Sequence, residues 1–99
     1  MSTVRTVYVG DRATHRQVAA AVEAWQGATG EVIEYDIDDD GDLYAGMGFA
    51  IDVFAGDYDA QLATAYRLAN GIRPLLAGVP VAVDRDLQAQ KIAATPERR

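Results

Sequence analysis

Hydrophobic and polar positions along this chain change period several times, and each change marks a structural element. Val4-Arg5-Thr6-Val7-Tyr8-Val9 is β-branched and aromatic and ends at Gly10-Asp11, which predicts a strand closed by a turn. Thr14 and Gln17 have the spacing of a capping box, and Val18, Ala21, Val22 and Trp25 then recur at helical intervals until Gly27 and Gly30. These signals predict a helix over 15–28, with Trp25 on its buried stripe.

The middle of the chain alternates strictly. Ile33, Tyr35 and Ile37 alternate with Glu34, Asp36 and Asp38; beyond Asp39-Asp40-Gly41, Leu43, Ala45, Met47, Phe49, Ile51 and Val53 alternate with Asp42, Tyr44, Gly46, Gly48, Ala50 and Asp52. Two strands joined as a hairpin follow from this period. A two-residue loop at Asp40-Gly41 would set the apolar residues of one strand against the polar face of the other, since a one-residue slip flips every side chain. A three-residue loop, Asp39-Asp40-Gly41, with glycine in the left-handed position of a turn and bulge, unites both apolar sets, and that register is the one predicted.

Asp57 is placed to cap a second helix, in which Leu62, Ala65, Tyr66 and Ala69 share a face and Asn70-Gly71 reads as the stop. Pro74 breaks the pattern, leaving Ile72 to Gly78 as a connector or short extra turn. Val79-Pro80-Val81-Ala82-Val83 is a last strand, put at a sheet edge by Pro80. From Asp84 onward, Leu87 and Ile92 are the large apolar residues before a charged end, so a weak helix that frays is expected. The succession is strand, helix, strand, strand, helix, strand: an α+β domain over residues 1–86 with a four-stranded antiparallel sheet and both helices on one face, followed by a tail over 87–99, weakly helical or disordered.

Composition narrows the function more than the fold. A chain of 99 residues, 49% hydrophobic, supports one core. It holds no cysteine, so neither a disulfide framework nor a thiolate metal site is available, and a reducing cytosol suits it. The first ten residues read as a strand and not as a leader or membrane span, which points to a cytoplasmic protein with no membrane partner. Formal charge is −6, so the chain repels phosphate on average and favours basic proteins as partners. Arginine and aspartate outnumber lysine and glutamate, a usage that fits a GC-rich coding genome such as that of an actinobacterium or its phage.

Taken in order, Val7-Tyr8-Val9-Gly10-Asp11, Gly30-Glu31-Val32, Gly46-Met47-Gly48-Phe49, Asp59-Ala60, Leu68-Ala69-Asn70-Gly71 and Gly78-Val79-Pro80-Val81-Ala82-Val83 resemble an RNA-recognition-motif domain. The resemblance runs from about residue 4 to residue 84 and implies the ferredoxin-like βαββαβ sandwich, with aromatics of the first and third strands stacking on bases. It implies that Tyr8 occupies the strand-one aromatic position, and aligning the glycine-rich core of the strand-three motif puts Phe49 on the RNA face. The alternation described above assigns Phe49 to the apolar face instead and leaves Tyr44 pointing outward.

Four functional readings follow. The leading one is a non-enzymatic binding or regulatory domain that meets a basic protein, or a second copy of itself, through its open sheet face or acidic hairpin. Its binding surface is Tyr8, Tyr44, Asp36, Asp38 and Asp42, because tyrosine anchors interfaces and carboxylates select cations. A phage-encoded inhibitor is a special case of it. The second reading is single-stranded RNA binding through Tyr8 and Tyr44. The third is a weak calcium module: Asp36, Asp38 and Asp40 have the alternate spacing of oxygen ligands before a glycine, although Met47 stands where that loop needs glutamate. Fourth is a small enzyme using aspartates alone. His15 is the sole histidine, Ser2 the sole serine and cysteine is absent, which nearly excludes catalysis by a Ser/His or Cys/His arrangement, and a solvated first-turn residue is the expectation for His15. Arg12 and Arg16 beside it suggest a small anion site. Phe54 joins the tyrosines on the open face, and Gly46 and Gly48 mark a bulge or a close backbone approach.

Overall fold

A computed structural model describes residues 5–39, 44, 46–54 and 58–87. The elements are β1 (Arg5–Gly10), α1 (His15–Thr29), β2 (Glu34–Asp38), β3 (Met47–Phe54), α2 (Tyr58–Ile72), a 3-10 helix over Arg73–Leu76, and β4 (Val81–Val83). The architecture is α+β. All strand pairs are antiparallel, and the sheet order is β2-β3-β1-β4.

Local sequence explains most of the element ends. The Thr14 hydroxyl accepts from the Gln17 N–H and the Gln17 side chain accepts from the Thr14 N–H, completing the capping box of α1. At the other end Gly30 turns left-handed (φ 77°) and its N–H reaches the Gln26 carbonyl. Two bonds then lead the chain toward β2: Ile33 N–H donates to Gln26 Oε1 at 3.0 Å, and Arg67 of α2 holds the Glu31 carboxylate with Nη2 to Oε1 at 2.9 Å.

One buried cluster forms the core. Val7, Val9, Ile51, Val53, Val81 and Val83 of the sheet meet Val18, Ala21, Val22 and Trp25 of α1 and Ala65, Leu68, Ala69 and Ile72 of α2. Burying each such large side chain contributes about 1.5–3 kcal/mol, so this layer carries the stability of the fold. Trp25 lies in it, as its place on the helical stripe requires.

Two expectations from the sequence are overturned. The hairpin does not close at a three-residue loop: Ile37 lies opposite Ile51 and Tyr35 opposite Val53, whereas the tight loop would set Ile37 against Leu43 and Tyr35 against Ala45. That shift is even, so the apolar faces still coincide. The reason for it lies in β1, whose pairing with β3 ends at Gly10 opposite Met47. In the tight register β2 would pair with a segment beyond that limit and hang off the sheet, away from the helices. The observed register brings Tyr35 and Ile37 over the core. Residues 40–43, Asp42 among them, and the capping position Asp57 lie outside the described residues.

The second correction concerns Gly71, which does not end its helix: α2 runs on to Ile72 and passes directly into the 3-10 helix at Arg73. Its role is steric. A Cβ on Gly71 would fall inside the van der Waals envelope of Trp25 Cδ1 and Nε1 and 3.0 Å from Cγ. Glycine is what lets α2 close on the indole. Gly48 behaves as anticipated: the β1–β3 register shifts between Val9 and Gly10, leaving Gly48 as the extra residue of a bulge, where its Cβ would lie 2.8 Å from Asp11 Cα.

At the far end of the chain, residues 84–87 are helical and 88–99 lie outside the described residues. Asp84 ties this turn to β1, accepting from Thr6 N–H at 3.3 Å and Arg85 N–H at 2.7 Å and facing Arg5 Nη1 at 3.6 Å.

Candidate functional site

Successive residues of a strand face opposite sides of the sheet, so the side chains turned away from the core follow from the register. They form cross-strand rows. In one, Asp38, Ala50, Tyr8 and Ala82 lie side by side on β2, β3, β1 and β4. In the next, Asp36 of β2 lies directly opposite Asp52 of β3, and Asp52 in turn opposite Thr6 of β1, whose N–H leads on to Asp84. In a third, Glu34 faces Phe54.

The aromatic part of this face is a closed pair. Tyr44, from the connection between β2 and β3, packs edge-on against Tyr8 with ring centroids 5.0 Å apart and planes at 71°. Alanine on both strands flanking Tyr8 leaves space above that row for a second ring. Tyr8 is consequently only 8% exposed although it lies outside the main core. Burial raises its phenol pKa, and the neighbouring Tyr44, Asp84 and Asp52 raise it further by opposing a second negative charge. Phe54 keeps 36% of its surface in solvent at the opposite end of the face.

The acidic part is built around Asp52. Its carboxyl pKa is raised, first by partial burial and then by the neighbouring carboxylates of Asp38 and Asp36. The Thr6 hydroxyl donates to Asp52 Oδ1 at 2.8 Å and works in the other direction. A directly opposed pair of like charges destabilises a sheet, and here a third carboxylate stands next to it. Asp36 and Asp38 themselves are exposed.

Of the residues anticipated at the binding surface, Tyr8, Tyr44, Asp36 and Asp38 thus lie on one face. Asp40 and Asp42 fall outside the described residues. Among the described residues, no three histidine, cysteine, aspartate or glutamate side chains converge in a way that would hold a metal ion. Asp52 was not anticipated as a member of the site. A carboxylate in the middle of the most apolar strand is the signal for it, because such a group must face away from the core and so beside the aspartates of β2.

Phe49 falls on the helix side: it pairs with Val9, packs against the core cluster, and approaches the exposed His15 ring with centroids 6.2 Å apart. His15 is an exposed first-turn residue, with Nδ1 4.0 Å from Asp39 Oδ1. Arg12 and Arg16 are also exposed; Arg12 borders a shallow depression with Asp11, Gly46, Gly78 and Pro80, and Arg16 is not among the described residues that line it. No helix among the described residues is long and apolar enough to cross a membrane. Comparison with family models, with curated proteins and with solved structures finds no match to this chain.

Proposed function

We propose that this chain is a non-enzymatic binding domain of ferredoxin-like arrangement whose open sheet face takes a basic protein partner. Support for the arrangement comes from the element order and from the sheet order, which read from β4 is 4-1-3-2. The functional reading rests on one observation, the opposed pair Asp36 and Asp52 with Asp38 alongside. These carboxylates repel one another in the free domain. A guanidinium or ammonium group seated among them removes that repulsion and gains charge-assisted hydrogen bonds, so the face favours cations more strongly than isolated surface carboxylates do. Tyr44, which covers Tyr8, and Phe54 supply the apolar contact beside them.

Stacking of single-stranded RNA is the weaker reading. Tyr8 is covered by Tyr44, Phe49 faces the helices, and the carboxylates repel phosphate. The discriminating experiment titrates a labelled arginine-rich peptide and a labelled single-stranded RNA with the domain at several salt concentrations, followed by fluorescence anisotropy, with light scattering on the same samples. Peptide binding that weakens as salt rises, and weakens again in Asp36→Asn/Asp38→Asn, is the expected outcome. RNA binding at low salt with the peptide inert would overturn the proposal.

A further inference from the structure

The two edges of the sheet are finished differently, and the difference says how a partner docks. β4 is only three residues long. It is preceded by Pro80, which has no N–H to offer. The guanidinium of Arg73 covers its Val81 carbonyl, with Nε at 3.2 Å and Nη2 at 2.9 Å. Short length, proline and a capping side chain are the usual means of closing an edge against further strands. β2 carries none of these. It is the other edge strand, and among the described residues no hydrogen bond caps its outer side.

Three further features of β2 point the same way. Its core-side residues Tyr35 and Ile37 are only half buried, whereas their partners Val53 and Ile51 on β3 are fully buried, so the apolar layer runs out before the sheet does. Val32, just ahead of the strand, is 92% exposed. On the opposite face Glu34, Asp36 and Asp38 form an unbroken acidic row along the edge. A strand laid against β2 would therefore meet carboxylates with one set of alternate side chains and unfinished apolar surface with the other.

From this we infer that the domain binds its partner by strand addition at β2, and that the partner segment alternates basic residues on the open face with apolar residues on the helix side. The inference rests on the proposed function and adds the mode of docking and the pattern of the ligand. Main-chain hydrogen bonds would give affinity and the alternating side chains specificity. The same charges argue against a second copy of this chain as the occupant: two antiparallel β2 edges would set Glu34, Asp36 and Asp38 against their own like.

The test uses a synthetic peptide alternating arginine and valine, titrated into the isotope-labelled full chain, with amide hydrogen exchange read residue by residue in the free and bound states. The expected result is exchange slowed by about tenfold or more at alternate amides of β2, those not already paired with β3. Asp36→Asn/Asp38→Asn, which alters exposed positions only, should weaken binding by roughly tenfold, about 1.4 kcal/mol. Peptide binding that leaves the β2 amides unprotected would overturn strand addition while leaving the acidic face as the site. Protection of those amides in the free chain, accompanied by a dimer in light scattering, would overturn it in favour of self-pairing. Absence of any peptide binding at low salt would remove the proposed function itself.

Discussion

Replacing Gly71 by alanine separates two effects of opposite sign. Alanine is the better helix former, and in a helix interior the exchange is worth about 0.8–1.0 kcal/mol in its favour. Gly71 lies in the last turn of α2, so less than that is available there. Against it stands the Trp25 indole, into which the new methyl group would intrude. Ordinary carbon contacts lie at about 3.5–4.0 Å, so the ring or the helix must move by on the order of 1 Å. The indole is rigid and packed within the main core cluster, with 6% of its surface exposed, so it has little room to retreat. Overpacking of this kind costs about 1–3 kcal/mol. The collision outweighs the helix propensity, and Gly71→Ala should lose about 1–2 kcal/mol, a fall in Tm on the order of 10 °C for a domain of this size. Urea unfolding followed by circular dichroism measures it, and the fluorescence of Trp25, the sole tryptophan, reports displacement of the ring. Combining it with Trp25→Phe, whose ring is smaller, should recover part of the loss, giving a favourable coupling of about 1 kcal/mol in the double-mutant cycle. A Gly71→Ala protein as stable as the parent or more so would refute the packing argument and return Gly71 to the role of a helix stop.

Two other perturbations probe the acidic and aromatic halves of the face. The raised Asp52 pKa means that its contribution to stability is present at low pH and is lost as the pH climbs through the folded-state value, so at neutral pH the ionised group weakens the fold. Asp52→Asn keeps an acceptor for the Thr6 hydroxyl and should gain a few tenths to about 1 kcal/mol at neutral pH and nothing once the native carboxyl is protonated; equal gains at both pH values would show that charge is not the cause. Tyr44→Ala uncovers Tyr8 and should lose about 0.5–1.5 kcal/mol beyond the lost area while moving the Tyr8 phenol back toward its ordinary pKa by spectrophotometric titration; an unmoved phenol would mean that Tyr44 does not seal it.

Local signals carried the element types well, because caps, alternation and helical stripes each have a short-range physical cause. Thr14 with Gln17, Gly30, Trp25 and Pro80 all do what their positions in the sequence imply. What failed were the two inferences that depended on a distant partner. Strand period fixes only whether a hairpin slip is odd or even, so Ile37 against Leu43 and Ile37 against Ile51 looked alike until β1 limited which part of β3 lies over the core. Asn70-Gly71 resembles a helix stop from its own letters; only Trp25, far away in the chain, shows why glycine is there. For the site, outward-facing positions were legible, but the junction of Asp52 with Asp36 and Asp38 required the register, and the covering of Tyr8 by Tyr44 required the path of the chain between β2 and β3.

Gly10, Gly48 and Gly71 share one property: at each, the space a side chain would need is already filled, by Pro80, Asp11 and Trp25 respectively. In a survey of every substitution scored by whether the protein accumulates in cells, these would be among the least permissive positions. Asp36 and Asp38, exposed and mutually repelling, would score as freely replaceable and even as improvable. On the proposed function such a map would be close to the inverse of a map of binding, and these glycines would light up for reasons of steric fit alone. If the proposed function holds, recognition by this chain lies where change is cheapest to stability, in the residues that a screen for folding would discard.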